Sequence, residues 1–377
     1  MYSYIYIDDT LENIEEGTIN GIKHGGELAV HFLEPGLWEQ RISELTNIIN
    51  QHSGLIVDLK LNERANKEGV KAQYRGSTVA SELRTLIKEK TIQADIPIFL
   101  ISADEKLEES LDKTSYDLFD GVISKNTLGD EHGLTYPEFK KLLIAFAESY
   151  LKLSEGKALT FILKRDDLTA LDNRLIQEME KLIPFPNHVF MRFLNRQILR
   201  KSTVLVSELT LAARLGIDKS SEGWNSFREE HLDPFKYKGL LSTYFNRWWW
   251  PDVESWWVEI YGEDPALRML GAGARVALLK DKFGDLKLQV QQKSEKSKSD
   301  KFWTICKGRH IPIDTIDGFL IANQDNSYPW QDKEYISNDE ALRPKNIEAW
   351  KDIATIEKNR LQKLKDFHGK TEQRVRR

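Results

Sequence analysis

Short apolar runs rich in β-branched and aromatic residues alternate with longer segments of helical spacing over the first ~150 residues, and beyond them that alternation stops. The runs at 4–7, 28–33, 54–59, 96–101 and 121–124 predict strands; the segments at 11–22, 38–51, 77–90, 105–116 and 136–153 predict helices. Runs such as IPIFLI and GLIV are continuous, as in strands covered by helices on both faces. Five such βα units predict an α/β fold with a doubly wound five-stranded parallel sheet. Ligands of these sheets sit outside the carboxyl ends of the strands.

The SEGK ahead of ALTFILK marks a boundary near residue 152, and a mixed, mainly helical α+β domain is expected over 153–355. Helical spacing dominates 170–215, whereas 274–279 and 286–291 flank KDKFGD like the strands of a hairpin. QKSEKSKSDK, at 292–301, reads as a mobile loop. From 354 onward the chain reads as one amphipathic or free charged helix that runs into a basic tail, 356–377.

Composition narrows the class. A chain of 377 residues allows two or three domains, and 40% hydrophobic with 30% charged residues is ordinary for a globular protein. The single Cys306 excludes an intramolecular disulfide framework. No run approaches the ~18 apolar residues of a membrane span, and the start MYSYIYIDDT has acids where a signal peptide carries bases, so a cytoplasmic protein with no membrane partner is expected. The net charge of −5 divides unevenly: residues 1–150 hold 15 basic against 26 acidic residues, a balance of −11, and the remainder carries +6. The last twenty residues alone hold 8 basic and 2 acidic residues, so the rest of the C-terminal part is neutral and lacks a broad basic face for nucleic acid.

Candidate chemistry collects at the predicted strand ends. Asp8 and Asp9 follow the first strand, Asp58 ends the third, Ser102 the fourth and Lys125 the fifth. Taken singly, such acids are ordinary helix caps and such a lysine an ordinary solvated charge. Together they converge on one crevice, where three carboxylates need a hard divalent cation such as Mg²⁺. Asp58 then reads as a nucleophile toward a phosphoryl group, with Lys125 neutralising its oxygens and Ser102 supplying a hydroxyl donor.

YIYIDD, LIVDLKL, FLISAD and DGVISK resemble the acidic pair, phospho-acceptor strand, hydroxyl strand and lysine strand of the receiver domain of two-component response regulators. The resemblance covers about residues 1–152. It implies Asp8, Asp9 and Asp58 as Mg²⁺ ligands, Asp58 as phospho-acceptor, Ser102 as the switch hydroxyl and Lys125 as the phosphate-binding lysine. It also implies a partner histidine kinase or kinase-like ATPase and a C-terminal output module acting on a protein effector, and it allows a homodimer. Three positions depart from the family: the 60–75 stretch is longer and lacks a Met-Pro pair, Asn126 replaces the proline after the lysine, and Val122 stands where many receivers have Tyr or Phe.

The C-terminal part shows no enzyme signature, so any activity is expected to stop at phosphorylation and dephosphorylation of the receiver Asp. NRWWWPDVESWWVEIYG reads as a helix starting at Pro251 with Trp249, Val253, Trp256, Trp257 and Ile260 on one face, more simply a core face than a partner-binding or base-stacking platform. The 206–228 segment has the Ala212 to Gly216 spacing of a helix-turn-helix, but Glu222 and Asn225 fall where the second helix needs apolar residues. Cys306, His310, Asp314 and Asp317 cluster without a metal or triad spacing, and GAGAR at Gly271 precedes a predicted strand where a dinucleotide loop follows one. The leading expectation is thus a response-regulator-like protein with a Trp-rich protein-interaction module. Its alternatives are a DNA-binding transcription regulator using 206–228, and a non-phosphorylated scaffold of a bacterial defence system.

Overall fold

The computed structural model describes residues 1–10, 17–103, 111, 113–130, 133–284, 286–343 and 353–375. The five apolar runs become β1 (Tyr2–Ile7), β2 (Leu28–Leu33), β3 (Gly54–Asp58), β4 (Ile98–Ser102) and β5 (Gly121–Ser124). All pair in parallel in the order β2-β1-β3-β4-β5, the flavodoxin-like doubly wound order shared by receiver domains. Between them run α1 (Ile19–Lys23), α2 (Trp38–Ile48), α3 (Gly76–Lys88), α4 (Lys113–Tyr116) and α5 (Tyr136–Glu155). Of the expected helices over 11–22 and 105–116, the described residues show Ile19–Lys23 and Lys113–Tyr116; 11–16, 104–110 and 112 lie outside the described residues.

Burial follows the strand period of two. Ile5, Ile7, Leu55, Val57, Ile98 and Leu100 pack with Leu45 of α2 and Val79 and Leu83 of α3. The opposite face carries Tyr4, Tyr6, Ile56, Phe99 and Ile101, and there Phe99 meets Phe139 and Phe146 of α5 at 6.2 and 5.2 Å between ring centroids. Every residue of β3 and β4 is buried, whereas the edge strands β2 and β5 are partly exposed. Thr135 and Glu138 form a reciprocal capping box that starts α5, with Pro137 in its first turn.

The chain packs as two units, one comprising 1–168, 176–200 and 238–245 and the other 169–175, 201–237 and 246–377. Three segments therefore join the 1–152 stretch in the first unit. One of them contributes to a buried polar network beneath the sheet. Arg84 of α3 donates to Asp95 and Asp120 at 2.8 and 3.0 Å, Tyr150 donates to Asp120 at 2.6 Å, and the His188 amide donates to Asp95 at 2.8 Å. Burial works to raise the Asp95 carboxyl, but Arg84 and His188 together hold it below the usual range; burial keeps Asp120 above it despite Arg84.

In the second unit the Trp-rich stretch is core. Trp248, Trp250, Val253 and Trp257 are buried together with Trp224 and Leu279, and helix Trp250–Tyr261 has Pro251 in its first turn as expected. Buried indoles need partners: Trp248 donates to Asp233 at 3.1 Å and Trp224 to Glu208 at 2.9 Å. Several expectations need correction here. The predicted hairpin strand at 274–279 lies inside a helix, Ala272–Phe283, whose buried Arg275, Val276 and Leu279 fall at helical spacing; Gly284, at φ +84°, ends it, and GAGAR is its first turn. The 292–301 stretch is pinned, with the Lys298 and Ser299 amides donating to Asp317 at 2.9 and 2.8 Å. Asp317 is thus a loop anchor, and Cys306 is a buried acceptor for the Ser337 amide at 3.2 Å. The basic tail is not free at its start, because Leu361 of helix Lys358–Val375 is buried beside Phe319 and Ile353. In the 206–228 segment the second helix starts at Trp224 and runs on in π geometry to Leu232; Trp224, Phe227 and Leu232 are buried, and its exposed positions include Glu229 and Glu230, acids that disfavour a DNA phosphate backbone.

The Arg84 network gives a stability test. Arg84→Met leaves Asp95 and Asp120 buried without their cation, and breaking a buried pair this way costs about 3–5 kcal/mol. Urea unfolding at neutral pH should show that loss. A change under about 1 kcal/mol would mean that the network contributes little.

Candidate functional site

Parallel pairing aligns the strand ends. Ile7 lies opposite Val57 and Asp58 opposite Ile101, so Asp8 and Asp58 leave neighbouring strands side by side. The Lys125 amide donates to the Ser102 carbonyl at 2.7 Å, which carries the β4–β5 ladder one step further and turns the lysine back over the sheet. Its Nζ then lies 2.6 Å from Asp8 Oδ2 and 2.6 Å from Asp58 Oδ1. Asp8, Asp58 and Ser102 are all buried. The peptide after Lys125 is not among the cis bonds, so Asn126 follows in the ordinary trans form.

Other donors fix these acids. Tyr6 Oη donates to Asp8 Oδ2 at 2.9 Å and the Thr10 amide to Asp8 Oδ1 at 3.0 Å; the Lys60 amide donates to Asp58 Oδ2 at 2.7 Å. Tyr6 is a residue that motif reasoning passed over. The signal was the strand period, which puts Tyr6 and Asp8 on one side of β1. Backbone donors such as Lys60 N leave no mark in a sequence.

Two carboxylates share one ammonium, so the cluster keeps a negative charge. Burial raises the Asp58 carboxyl to about 6, with Asp8 adding to the rise and Lys125 opposing it. Burial also works against the Lys125 ammonium, but Asp58 and Asp8 outweigh it and hold the lysine above its ordinary value. Ser102 is the last residue of β4, one past Ile101, the register partner of Asp58.

Of the five residues expected to converge, Asp9 behaves differently. Its Oδ2 accepts from the amides of Glu63 and Arg64 at 2.9 and 2.7 Å, and Thr10 Oγ1 donates to its Oδ1 at 3.2 Å. Among the described residues no group of three or more His, Cys, Asp or Glu side chains is disposed to hold a metal ion. The surplus charge on Asp8 and Asp58 nevertheless fits a hard divalent cation, because Mg²⁺ is commonly held by one or two carboxylates and keeps several waters.

No family model matches the chain, and no curated protein matches it. Solved structures do. A CheY-like response regulator receiver domain from Methylobacillus flagellatus is 13% identical, with 33% of this chain and 86% of that chain covered and a TM-score of 0.24. RcsB of Salmonella enterica serovar Typhimurium, bound to promoter rprA with the phosphomimetic BeF3-, is 16% identical over 51% of this chain and 99% of that chain, with a TM-score of 0.24. The Legionella pneumophila response regulator LqsR is 13% identical over 61% of this chain and 75% of that chain, with a TM-score of 0.27. At such identities and TM-scores the likeness adds no argument, and the fold stands on strand order and register.

The Asp58 shift predicts a pH dependence. A carboxyl raised from 3.8 in the unfolded chain to about 6 in the folded one binds more protons when folded between those values. The Asp58 contribution to stability therefore falls as pH rises from about 4 to about 6 and then levels off, by at most ~3 kcal/mol from two pKa units. Asp58→Asn leaves Lys125 paired with Asp8 alone and should stabilise the protein by roughly 1–3 kcal/mol at pH 7.5 and little at pH 4. Equal urea midpoints for the variant and the parent at pH 7.5 would contradict this.

Proposed function

We propose that the first unit is a phospho-acceptor signalling domain in which Asp58 takes a phosphoryl group. The observation that carries this reading is the Lys125 ammonium, 2.6 Å from both Asp8 and Asp58 at the carboxyl end of a parallel sheet. The donor is a partner histidine kinase or kinase-like ATPase. Asp58 Oδ attacks phosphorus, the P–N bond of the donor phosphohistidine breaks, and the imidazole leaves with the electron pair. Lys125 already faces Asp58 Oδ1 and neutralises the incoming phosphoryl oxygens, while Ser102 offers its hydroxyl to one of them. Bound at Asp8 and Asp58, Mg²⁺ would supply further charge neutralisation on those oxygens.

The second unit is the output module. Trp224, Trp248, Trp250, Trp257 and Trp303 are consumed by its own core, and the neutral body of the C-terminal part favours protein partners over nucleic acid. The described residues include no helix long and apolar enough to cross a membrane.

Acetyl phosphate with Mg²⁺ tests the reading by intact mass and peptide mapping. Asp58 should gain one phosphoryl group, Asp58→Ala should gain none, and Lys125→Ala should be labelled at least ~10-fold more slowly, as for the loss of one charge-stabilising group. Chelation of Mg²⁺ should suppress the adduct. Undiminished labelling of Asp58→Ala would overturn the assignment.

A further inference from the structure

The 60–75 stretch begins and ends at the phospho-acceptor. Lys60 N is bonded to Asp58 Oδ2 at 2.7 Å, and the chain returns at Gly76, whose amide donates to the Leu59 carbonyl at 3.1 Å. The return is tight: a Cβ on Gly76 would lie 2.1 Å from the Asp58 carbonyl oxygen. Leu61, Ala72 and Tyr74 are buried and root the two legs in the core. The tip is a small self-contained turn closed by the Ala65 to Lys71 bridge, with Asn66 Oδ1 accepting from the Glu68 and Val70 amides at 3.0 and 2.9 Å. It is therefore a stiff flap on two anchored legs, and not a slack insertion.

Carboxylates at the sheet end hold the flap down. Asp9 Oδ2 receives the Glu63 and Arg64 amides, and Glu34 Oε2 receives the Lys67 amide at 3.0 Å. At the root of the flap Asp58 is only 6% exposed, with one oxygen on Lys125 and the other on Lys60 N. In-line transfer needs the attacking oxygen, the phosphorus and the leaving nitrogen on one line, so space must open in front of an Asp58 oxygen before a donor can align there. The flap also lines an open cavity of about 500 Å³ together with Leu37, Gln40 and Arg41.

We propose that Asp9 is a positioning residue, a latch that keeps the 60–75 flap closed over Asp58 and sets how often the acceptor is accessible. This rests on the phospho-acceptor reading of Asp58. It departs from the ligand role that the receiver resemblance implies for the second acid of the pair, and the two roles predict opposite effects. Loss of a metal ligand slows labelling; loss of a latch speeds it.

The experiment compares full-length parent, Asp9→Ala and the milder Asp9→Asn at Mg²⁺ saturating for each, by hydrogen exchange over 60–71 and by the rate of Asp58 labelling with acetyl phosphate. The latch predicts faster exchange of the 60–71 segment in Asp9→Ala and labelling faster by on the order of 10-fold or more, as for the loss of a hydrogen bond to a charged group, with Asp9→Asn between. A flap shortened between 62 and 71 should give the same acceleration, and adding Asp9→Ala to it should give no more, since both remove one interaction. Slower labelling in Asp9→Ala, or exchange unchanged across 60–71, overturns the latch. If Asp58 accepts no label in any variant, the phospho-acceptor reading fails instead, and the exchange data alone then decide whether Asp9 holds the flap.

Discussion

One ammonium between two buried carboxylates is the constraint around which the carboxyl end of the sheet is arranged. Lys125 reaches Asp8 and Asp58 only because β1, β3 and β5 run in parallel, so that their last residues emerge at one edge. Each neighbour then contributes a donor that the lysine cannot: Tyr6 and the Thr10 amide to Asp8, and the Lys60 amide to Asp58. Neutral dipoles ease burial of the second charge without cancelling it. The remainder shows as the raised carboxyl of Asp58, and a group with unbalanced charge is the one whose surroundings respond when charge is added.

Much of this end was legible because parallel α/β sheets write their chemistry into strand termini. The apolar runs located β1 to β5 within a residue or two at most ends, and Asp8, Asp58, Ser102 and Lys125 could be placed by counting from them. Asp9 was placed correctly in the chain, but its partners were not, since they are the amides of Glu63 and Arg64 and any sequence supplies amides. The Arg84 network escaped for a related reason. Asp95, Asp120 and Tyr150 are far apart in sequence and meet only after the sheet and its helices have formed.

In the second unit the same methods failed where periods were short. ARVALL has the composition of a strand, yet packing needs Val276 and Leu279 on one face and Arg275 beside them, which a helix satisfies. The serine- and lysine-rich 292–301 stretch looked solvated because its own side chains are polar. What pins it is Asp317, a distant carboxylate that accepts two of its backbone amides. Tertiary contact overrode local preference in both cases, whereas the start of the Trp250–Tyr261 helix, with proline in its first turn, was readable, although Trp249, expected on its apolar face, ends the strand before it.

The two ends of the sheet make the functional point by contrast. Each has one cation between two buried aspartates: Arg84 with Asp95 and Asp120 at one end, Lys125 with Asp8 and Asp58 at the other. At the first end a planar guanidinium spends its donors on both acids and on the Ile96 and Leu118 carbonyls, while Tyr150, the Ile98 amide and His188 satisfy the remaining oxygens. Rearranging that network breaks many bonds at once, so it acts as a rigid base. At the second end a flexible lysine offers point-charge contacts, and one acid depends on the root of a flap for its other oxygen. Few contacts need to change there for Lys125 to shift from Asp8 toward a new anion on Asp58. The fold thus sets one cation between two acids at each end and holds them by different geometry: a fork within a dense network on one side, a point charge with backbone amides on the other.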